Sequence, residues 1–515
     1  MDYYLKHLRQ DLSAGLVVFL VALPLCLGVA LASGAPLFSG IIAGIVGGMV
    51  VAWASGSQLS VSGPAAGLTV IVFNAIETLG GFGGFLLSLV MAGILQLGLG
   101  FLKAGVIGAF FPASVINGML AAIGLILFIK QIPHATGYDA SFEGDESYMR
   151  ETAESSLFEL YQALDAITAS VTLVSIVALL ILIVWDTYLV KRWTFLAIIP
   201  APLIAVMWGV LYNNIALQFA PDWVIESKHL VSLPELNSPR AFFDQLQLPD
   251  FSYLTNLSVY SLAVSLAIIA SIETLLSIEA VDKLDPHKRI APTNRELKAQ
   301  GLGNIISGLM GGLPITAVIV RSSANINAGG QTRMSSFVHG VLLLLSILFC
   351  AQFLNTIPMA CLAAILLQTA YKLAKPKLFL EFYRKGWNQF LPFVITIVAI
   401  LVTDLLLGIG IGMACGFFFV LKANFHSAIT LTQHGSLFLL RLHKDVSFLN
   451  KALLRKYLRV VPDGSELIID GVKAQFIDHD IMETISDFLL AAPERNIEVE
   501  LHGLEFSQLI PSSPH

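Results

Sequence analysis

Long apolar runs, which recur from Leu12 to about Lys422, constrain the fold of this chain more than any other feature. Only α-helices and closed β-barrels satisfy every backbone polar group inside a lipid bilayer. The runs are too long and too uniformly apolar for barrel strands, in which apolar and polar residues alternate. Charged residues make up 13 % of the chain, against about 25 % in an average soluble protein. The sequence therefore predicts an all-α polytopic membrane protein.

Eleven of the runs have about the length of 20 residues that a helix needs to cross a bilayer. They lie at 13–32, 36–54, 81–103, 105–129, 168–189, 193–213, 258–280, 335–356, 358–373, 388–405 and 406–424. Three shorter runs, at 66–78, 297–309 and 316–328, bring the predicted total to about fourteen transmembrane segments. An even total leaves both termini on the same side of the membrane.

The charges of the connecting segments predict the orientation of these spans. Connections 282–298 and 371–385 each hold five basic residues, whereas 131–165 holds one basic residue and eight acidic ones. The connection 214–257 is also acidic. Basic connections stay in the cytoplasm, and all of the basic connections fall there when the N-terminus is cytoplasmic. Because the number of spans is even, both termini are then predicted to be cytoplasmic.

The pattern changes after Asn424, where apolar runs shorten to the length of strands and alternate with helix-like segments. The predicted strands are Leu437–Leu442, Glu466–Ile469 and Ile497–Leu501, and the predicted helices are Ser447–Leu458 and His479–Leu490. This rhythm is typical of a small soluble α/β domain. We therefore divide the chain into a membrane domain, 1–424, and a cytoplasmic domain, 425–515.

Several function classes are excluded by composition and by missing motifs. A net charge of −6 does not suit a nucleic-acid binder. The four cysteines are scattered through apolar runs without CxxC spacing, which predicts neither disulfides nor metal ligands. The sequence shows no nucleophile–base pair, metal triad or nucleotide-binding loop. An enzyme is therefore not expected, nor is a cofactor, and any transport must be driven by ion gradients.

Arg321 lies in the last of the short runs, among small, apolar and hydroxyl residues. A cation at bilayer depth costs roughly 2.5 to 3.5 kcal/mol on insertion scales, so chains that keep one generally use it. The surrounding residues suit a helix that begins inside the membrane and turns its N–H groups towards an anion. They predict an anion site at Arg321. The alternative is an arginine that pairs with a buried carboxylate for architecture alone.

The segment 62–69 (Ser-Gly-Pro-Ala-Ala-Gly-Leu-Thr) breaks the hydrophobic pattern in the same way. Paired short runs, interrupted by Gly or Pro in corresponding positions of two halves, indicate the midplane site of a transporter. Here they are the third and tenth spans, one in each set of seven, so we expect an inverted 7+7 repeat. The alternative is that Gly and Pro are simply frequent in membrane helices.

Glu273 lies inside the eighth span, and Ser277 follows four residues later on the same helix face. Oxygen ligands suit hard cations, and a buried carboxylate can also carry a proton. The pair predicts a cation-coupling site. Alternatively, Glu273 only neutralises Arg321. Both roles are compatible, because an acid beside the anion site couples the two ions.

Three segments of the sequence together resemble the sulfate permease family of anion transporters. They are 62–69, the stretch 294–304 (Asn-Arg-Glu-Leu-Lys-Ala-Gln-Gly-Leu-Gly-Asn), and Arg321–Asn325 with 328–332. The C-terminal domain is similar to the family's STAS domain (sulfate transporter and anti-sigma antagonist). Within the family, the chain looks closest to the branch of sodium-dependent bicarbonate transporters.

The resemblance covers essentially the whole chain and implies an architecture. A core domain and a gate domain would form the 7+7 fold, with the substrate between the third and tenth half-helices. The protein would be a homodimer in the lipid of a bacterial inner (plasma) membrane.

The resemblance also implies which residues bind the ions. The expected anion site consists of Ala65, Ala66, Gly67, Ile319, Val320, Arg321 and Ser322. Leu23 is added from the sequence itself, because Pro24 kinks the first span and Leu23 could line a pocket beside it; a kinked packing helix is the alternative. The expected cation-coupling residues are Thr69, Glu273, Ser277, Gly312 and Thr316. The ion would be Na+, held at Glu273, Ser277 and Thr69, or H+.

Two residues depart from the family pattern. Glu273 stands where the bicarbonate carriers tend to have Asp, so a proton could replace sodium. His479 stands where soluble relatives of the C-terminal domain have a phosphorylatable serine, which speaks against a serine-kinase switch.

The leading hypothesis is therefore a secondary active symporter of a small inorganic anion, bicarbonate or sulfate, that works by an elevator mechanism. An anion exchanger and a proton-coupled dicarboxylate transporter are alternatives. A nucleobase permease is disfavoured, because an uncharged base gives Arg321 no role. From a different class, the chain could be a membrane anion sensor that signals through its STAS domain.

Overall fold

The computed structural model of the chain describes residues 2–137, 167–193, 199–234, 239–403 and 405–504. Most of the acidic connection predicted at 131–165 lies outside these ranges. The chain divides into two compact units, Met1–Gly412 and Met413–His515, and each is described by itself.

Helices dominate the first unit, and each predicted span in it overlaps one of them. They are α1 (Asp2–Ala32), α2 (Leu37–Val46), α3 (Thr69–Leu79), α4 (Phe82–Phe101), α5 (Ala113–Thr136), α6 (Ala169–Val184), α7 (Ala201–Phe219), α8 (Leu257–Leu284), α9 (Thr293–Leu309), α10 (Ile319–Asn327), α11 (Met334–Phe349), α12 (Met359–Leu373), α13 (Trp387–Val402) and α14 (Leu405–Ser427), which continues into the second unit. A further helix, Pro376–Arg384, lies between α12 and α13.

Seven helical stretches of the described residues are long and apolar enough to cross a membrane by length and composition. They contain α1, α2, α4, α5, α6, α7 and α8. Four of the remaining apolar helices, which contain α3, α11, α13 and part of α14, are shorter. The prediction of a polytopic helical membrane protein is thus confirmed, whereas the total of about fourteen crossings stays a prediction.

The two short runs singled out in the sequence form a strand and a helix each. The strand β1 (Ser62–Pro64) precedes α3, and β2 (Ile315–Ala317) precedes α10. The strands pair in antiparallel fashion, with Gly63 opposite Thr316. All six strand residues are buried. A buried non-helical backbone of this kind is tolerated at membrane depth only where protein encloses it or it lines a cavity.

Helix α9 is one of the least apolar of the predicted spans, and its packing explains why. Small residues let it approach α4 closely: a Cβ on Gly93 would lie 2.7 Å from the Gly301 carbonyl oxygen, and one on Gly301 would lie 2.6 Å from the Leu97 nitrogen. Its polar residues Glu296, Gln300 and Asn304 are completely or almost completely buried. Protein therefore surrounds this face of α9, and hydrogen bonds replace the apolar surface that lipid would require.

The second unit contains a four-stranded sheet in the order β3–β4–β5–β6. The strands are β3 (Ile429–His434), β4 (Leu437–Val446), β5 (Glu466–Ile477) and β6 (Glu498–His502), with α15 (Lys451–Val460) and α16 (His479–Ala491) as crossover helices. The β4–β5 and β5–β6 pairs are parallel. The predicted α/β rhythm is confirmed, but β3 was missed, because it follows directly on a long apolar helix.

Candidate functional site

Arg321 lies in the first turn of α10, and its side chain reaches β1. Its exposed fraction is 1 %. Nη2 donates a hydrogen bond of 3.3 Å to the Pro64 carbonyl oxygen. Nη1 lies so close to Gly63 that a Cβ there would collide with it. Glycine at position 63 is therefore what admits the guanidinium.

Two donor atoms of this arginine, Nε and Nη1, are buried without a hydrogen-bond partner among the described residues. Burying a charge without compensation is costly. Both atoms are therefore available to an oxygen acceptor that the described residues do not supply, and an anion is the acceptor that suits a guanidinium.

The helix N-termini that flank the strands are open as well. Among the described residues, no side chain caps α10 at Val318. The single 3₁₀ turn Ala66–Leu68, which leads into α3, likewise has no side-chain cap there, at Ala65. The first N–H groups of a helix lack acceptors within it. Because β1 and β2 are antiparallel, the two helices leave opposite ends of a ribbon only three residues long. The ribbon thus brings two uncapped helix starts and one buried cation together.

Two further side chains lie close to Arg321 that sequence reasoning missed. The Cys26 thiol of α1 interacts with the guanidinium. His339 of α11 is fully buried near the same charge, and neither ring nitrogen has a hydrogen-bond partner in the described chain. An isolated polar residue in an apolar helix is the signal that could have identified His339.

Glu273 approaches the 3₁₀ turn before α3 as Arg321 approaches β1. A Cβ on Gly67 would lie 2.6 Å from Oε1 of Glu273 and 3.0 Å from Oε2. Oε2 is buried and has no hydrogen-bond partner among the described residues. A carboxylate in this position requires a cation or a proton.

The described residues show no ion pair between Glu273 and Arg321. The bond that Arg321 makes goes to a backbone carbonyl, and the unpartnered atoms include Oε2 on one side and Nε and Nη1 on the other. The structure therefore does not describe an architectural pair in which one charge simply neutralises the other.

The remaining predicted cation-coupling residues are Thr69, Ser277, Thr316 and Gly312. Thr69, the first residue of α3, and Ser277, four residues after Glu273 on α8, are buried. The Thr69 hydroxyl donates to the Ala66 carbonyl at 2.8 Å. The buried Thr316 hydroxyl has no partner in the described chain. Gly312 precedes β2 and packs against Ser307 and Ile42.

The remaining predicted anion-binding residues also differ in their surroundings. Ala65 and Gly67 are buried, and Ala66 and Leu23 are half-buried. The side chains of Ile319 and Val320 are exposed, so only their backbone can serve a buried anion. The Ser322 hydroxyl is engaged locally, because it donates to the Val318 carbonyl at 2.8 Å and accepts from the Val61 N–H at 2.9 Å.

The described residues form a bundle of apolar helices that encloses broken helices and buried charges without ion-pair partners, and these features define a polytopic membrane transporter. A family model of the sulfate permease family matches residues 8–399, and the chain belongs to this family.

Known proteins agree with this assignment. The chain is 28 % identical over 426 residues to the putative sulfate transporter YvdB of Bacillus subtilis, covering 82 % of this chain and 75 % of that protein. It is similar to the transmembrane domain of a cyanobacterial bicarbonate transporter, BicA, with a TM-score of 0.65, 26 % identity and coverage of 78 % and 97 %. The structure of SLC26A9 shares the fold at 16 % identity, with a TM-score of 0.78 and coverage of 98 % and 85 %.

Proposed function

We propose that this protein is a secondary active transporter of a small inorganic anion, bicarbonate or sulfate. The observation that carries the proposal is the state of Arg321. Among the described residues, it is a buried cation with two donor atoms that lack a partner, and it lies beside a ribbon that connects two helix starts without a side-chain cap. A desolvated oxyanion accepts hydrogen bonds from a guanidinium and from backbone N–H groups together.

The coupling ion in this proposal is Na+ or H+, bound at Glu273. The carboxylate lies against Gly67 in the 3₁₀ turn before α3, whereas Arg321 lies against β1 at Gly63. The two charges thus approach one continuous segment at positions four residues apart. An anion at one position and a cation at the other stabilise each other electrostatically in a medium of low dielectric constant.

The proposed mechanism is of the elevator type. The third, eighth and tenth helices would carry both ions in a core domain, which moves against a gate domain within a 7+7 repeat of fourteen spans. The second unit would be a cytoplasmic STAS domain. The protein would act as a homodimer in the lipid of a bacterial inner membrane, with both termini in the cytoplasm.

The test is uptake by the purified full-length protein in proteoliposomes. Labelled bicarbonate and labelled sulfate are offered with a sodium gradient, with a proton gradient and with neither. We expect one of the two anions to accumulate when one of the gradients is imposed. Accumulation without any gradient dependence would favour exchange, and labelled dicarboxylate tests the remaining alternative.

Arg321→Ala serves as the matched negative control. It should bind and transport the anion weakly while its thermal unfolding midpoint stays close to that of the wild type. Binding of the anion by the wild-type protein without any flux would overturn the transporter proposal in favour of a sensor.

A further inference from the structure

The β1–β2 ribbon is too short to hold itself in place, and the edges of its strands need other partners. Val318 N–H donates to the Val61 carbonyl at 3.0 Å. In antiparallel pairs, residues that exchange hydrogen bonds alternate with residues whose polar groups point away from the partner strand. Ile315, opposite Pro64, and Ala317, opposite Ser62, therefore turn their backbone groups outward.

The Asn304 side chain of α9 holds the outward edge of β2 at Ile315. Its Oδ1 accepts from the Ile315 N–H at 2.6 Å, and its Nδ2 donates to the Ile315 carbonyl at 3.2 Å. One amide thus satisfies both backbone groups of one strand residue. One turn earlier, Gln300 donates to the Ser62 hydroxyl of β1 at 2.8 Å, so α9 holds both strands.

A series of hydrogen bonds leads from the same Asn304 amide through Gln96 to α8, the helix that carries Glu273. Asn304 Nδ2 donates to Gln96 Oε1 at 2.6 Å. Gln96 Nε2 donates to the Ser271 hydroxyl of α8 at 3.2 Å. Gln96 and Asn304 are buried to 99 % or more, and buried amides hydrogen-bonded in this way are strongly directional.

Helix α8 is therefore connected to β2 at two points on either side of Glu273 in the sequence. The first is Ser271, reached through Gln96 and Asn304. The second is Thr274, whose hydroxyl lies 3.4 Å from the Ala317 nitrogen as an acceptor. A shift of β2 at the anion site must move α8 at the cation site, unless these bonds break.

We propose that Gln96 and Asn304 are positioning residues that couple the anion site to the cation site. They touch neither ion, but the chain of hydrogen bonds from Ile315 to Ser271 fixes the distance between the Arg321 and Glu273 environments. The inference rests on the proposed function. It predicts that breaking this chain of hydrogen bonds reduces the effect of each ion on the affinity for the other ion. This reduction should exceed the reduction of the maximal transport rate.

The test is Gln96→Met in the full-length protein, which keeps the length of the side chain and removes the amide. The anion KM is measured in proteoliposomes at low and saturating sodium, and in a second series at two external pH values. We expect the factor by which the coupling cation lowers the anion KM to fall about tenfold, as the loss of a buried hydrogen bond allows, with a smaller change in kcat. A tenfold change corresponds to about 1.4 kcal/mol, which lies within the usual range of coupling free energies between two ligands.

Ser88→Ala is the matched control, because Ser88 is a buried hydroxyl on the same helix that donates to Gly84 of that helix. It should couple the ions like the wild type. Ser271→Ala is the second variant, because it removes the hydroxyl at the α8 end of the hydrogen-bond chain. Ser271→Thr restores a hydroxyl and should rescue the coupling.

Each outcome decides something. Reduced coupling in Gln96→Met or Ser271→Ala, with an unfolding midpoint like that of Ser88→Ala, supports the inference. Wild-type coupling in a well-folded Gln96→Met overturns it and leaves the proposed function intact. If Gln96→Met unfolds, Ser271→Ala alone decides, and wild-type coupling in it overturns the inference. A wild-type protein without gradient-dependent uptake overturns the proposed function and this inference together.

Discussion

The carboxylate of Glu273 lies against the backbone of Gly67, with Oε1 only 2.6 Å from where a Cβ on that glycine would be. Arg321 has the same relationship to Gly63. Opposite charges from two helices thus approach one segment at two glycines four residues apart. The glycines are required by these close approaches rather than by their backbone angles, since neither has a positive φ.

Gly67→Ala should impair coupling by the cation. The added methyl group would displace the Glu273 carboxylate, whose carbon would lie 2.9 Å from it, and a buried side chain has little room to move. We expect the apparent affinity for the coupling cation to fall about tenfold or more, measured as the cation dependence of uptake. Gly98→Ala, on α4 where a Cβ meets nothing within 4 Å, should behave like the wild type.

Replacing Arg321 by lysine should weaken anion binding although the charge is kept. Lysine lacks the planar fork of donors, and its ammonium cannot offer the same pair of N–H groups. Hydrogen bonds to charged groups contribute about 1.5–3 kcal/mol, so we expect the anion Kd to rise about 10- to 100-fold, and further in Arg321→Ala. Calorimetric titration of the purified protein measures this, and an unchanged Kd in a folded Arg321→Ala would contradict the anion site.

Glu273→Gln should uncouple anion transport from the cation without unfolding the protein. Because Glu273 forms no ion pair with Arg321 in the described chain, the substitution should not cost the about 3–5 kcal/mol of a broken buried pair. We expect uptake to lose its dependence on the cation gradient, with slow anion-for-anion exchange retained. A stable variant that still accumulates anion against its gradient would show that the coupling site lies elsewhere.

Asp285, in the connection after α8, should stabilise the protein in a pH-dependent way. Burial opposes ionisation, but hydrogen bonds from the Arg289 side chain and from the His287 N–H outweigh it and lower the pKa of Asp285 below its ordinary 3.8. The stabilisation is therefore present above about pH 4 and is lost as the pH falls through the lowered pKa.

Asp285→Asn should accordingly lower the unfolding midpoint at pH 7, by an amount equivalent to about 1–3 kcal/mol, and the difference from the wild type should narrow below about pH 4. Glu279→Gln removes a carboxylate from an exposed pair with Lys283 and should change little. A difference between Asp285→Asn and the wild type that does not depend on pH would indicate that the side chain acts by its shape.

Much of the membrane architecture could be predicted from hydrophobicity alone. The predicted run 258–280 became α8, and the short runs 66–78 and 316–328 became α3 and α10 with a strand before each. Lipid permits few backbone structures, so the length and spacing of apolar runs carry most of the information. The same reasoning missed β3 (Ile429–His434), because this strand follows directly on the long apolar helix α14.

The site residues were chosen for their chemistry, and their surroundings could not be deduced in that way. Thr69 was predicted to serve the cation, yet its hydroxyl is engaged by the Ala66 carbonyl. Ser322 was predicted to serve the anion, yet its hydroxyl holds Val61. A hydroxyl in a sequence offers a donor and an acceptor, and only the folded backbone decides which partner takes them.

The sequence by itself determined that the chain enters lipid, roughly where its helices lie, and that it keeps Arg321 and Glu273 among apolar residues. These features follow from local properties, because each polar residue exposed to lipid adds its own free-energy cost. Only the tertiary structure decided that the two charges stay unpaired, and that Gln96 and Asn304, 208 residues apart, join α4 to α9. Such contacts depend on the packing of distant segments, and hydrogen bonds form only within about 3 Å and near-linear geometry, which no local pattern encodes.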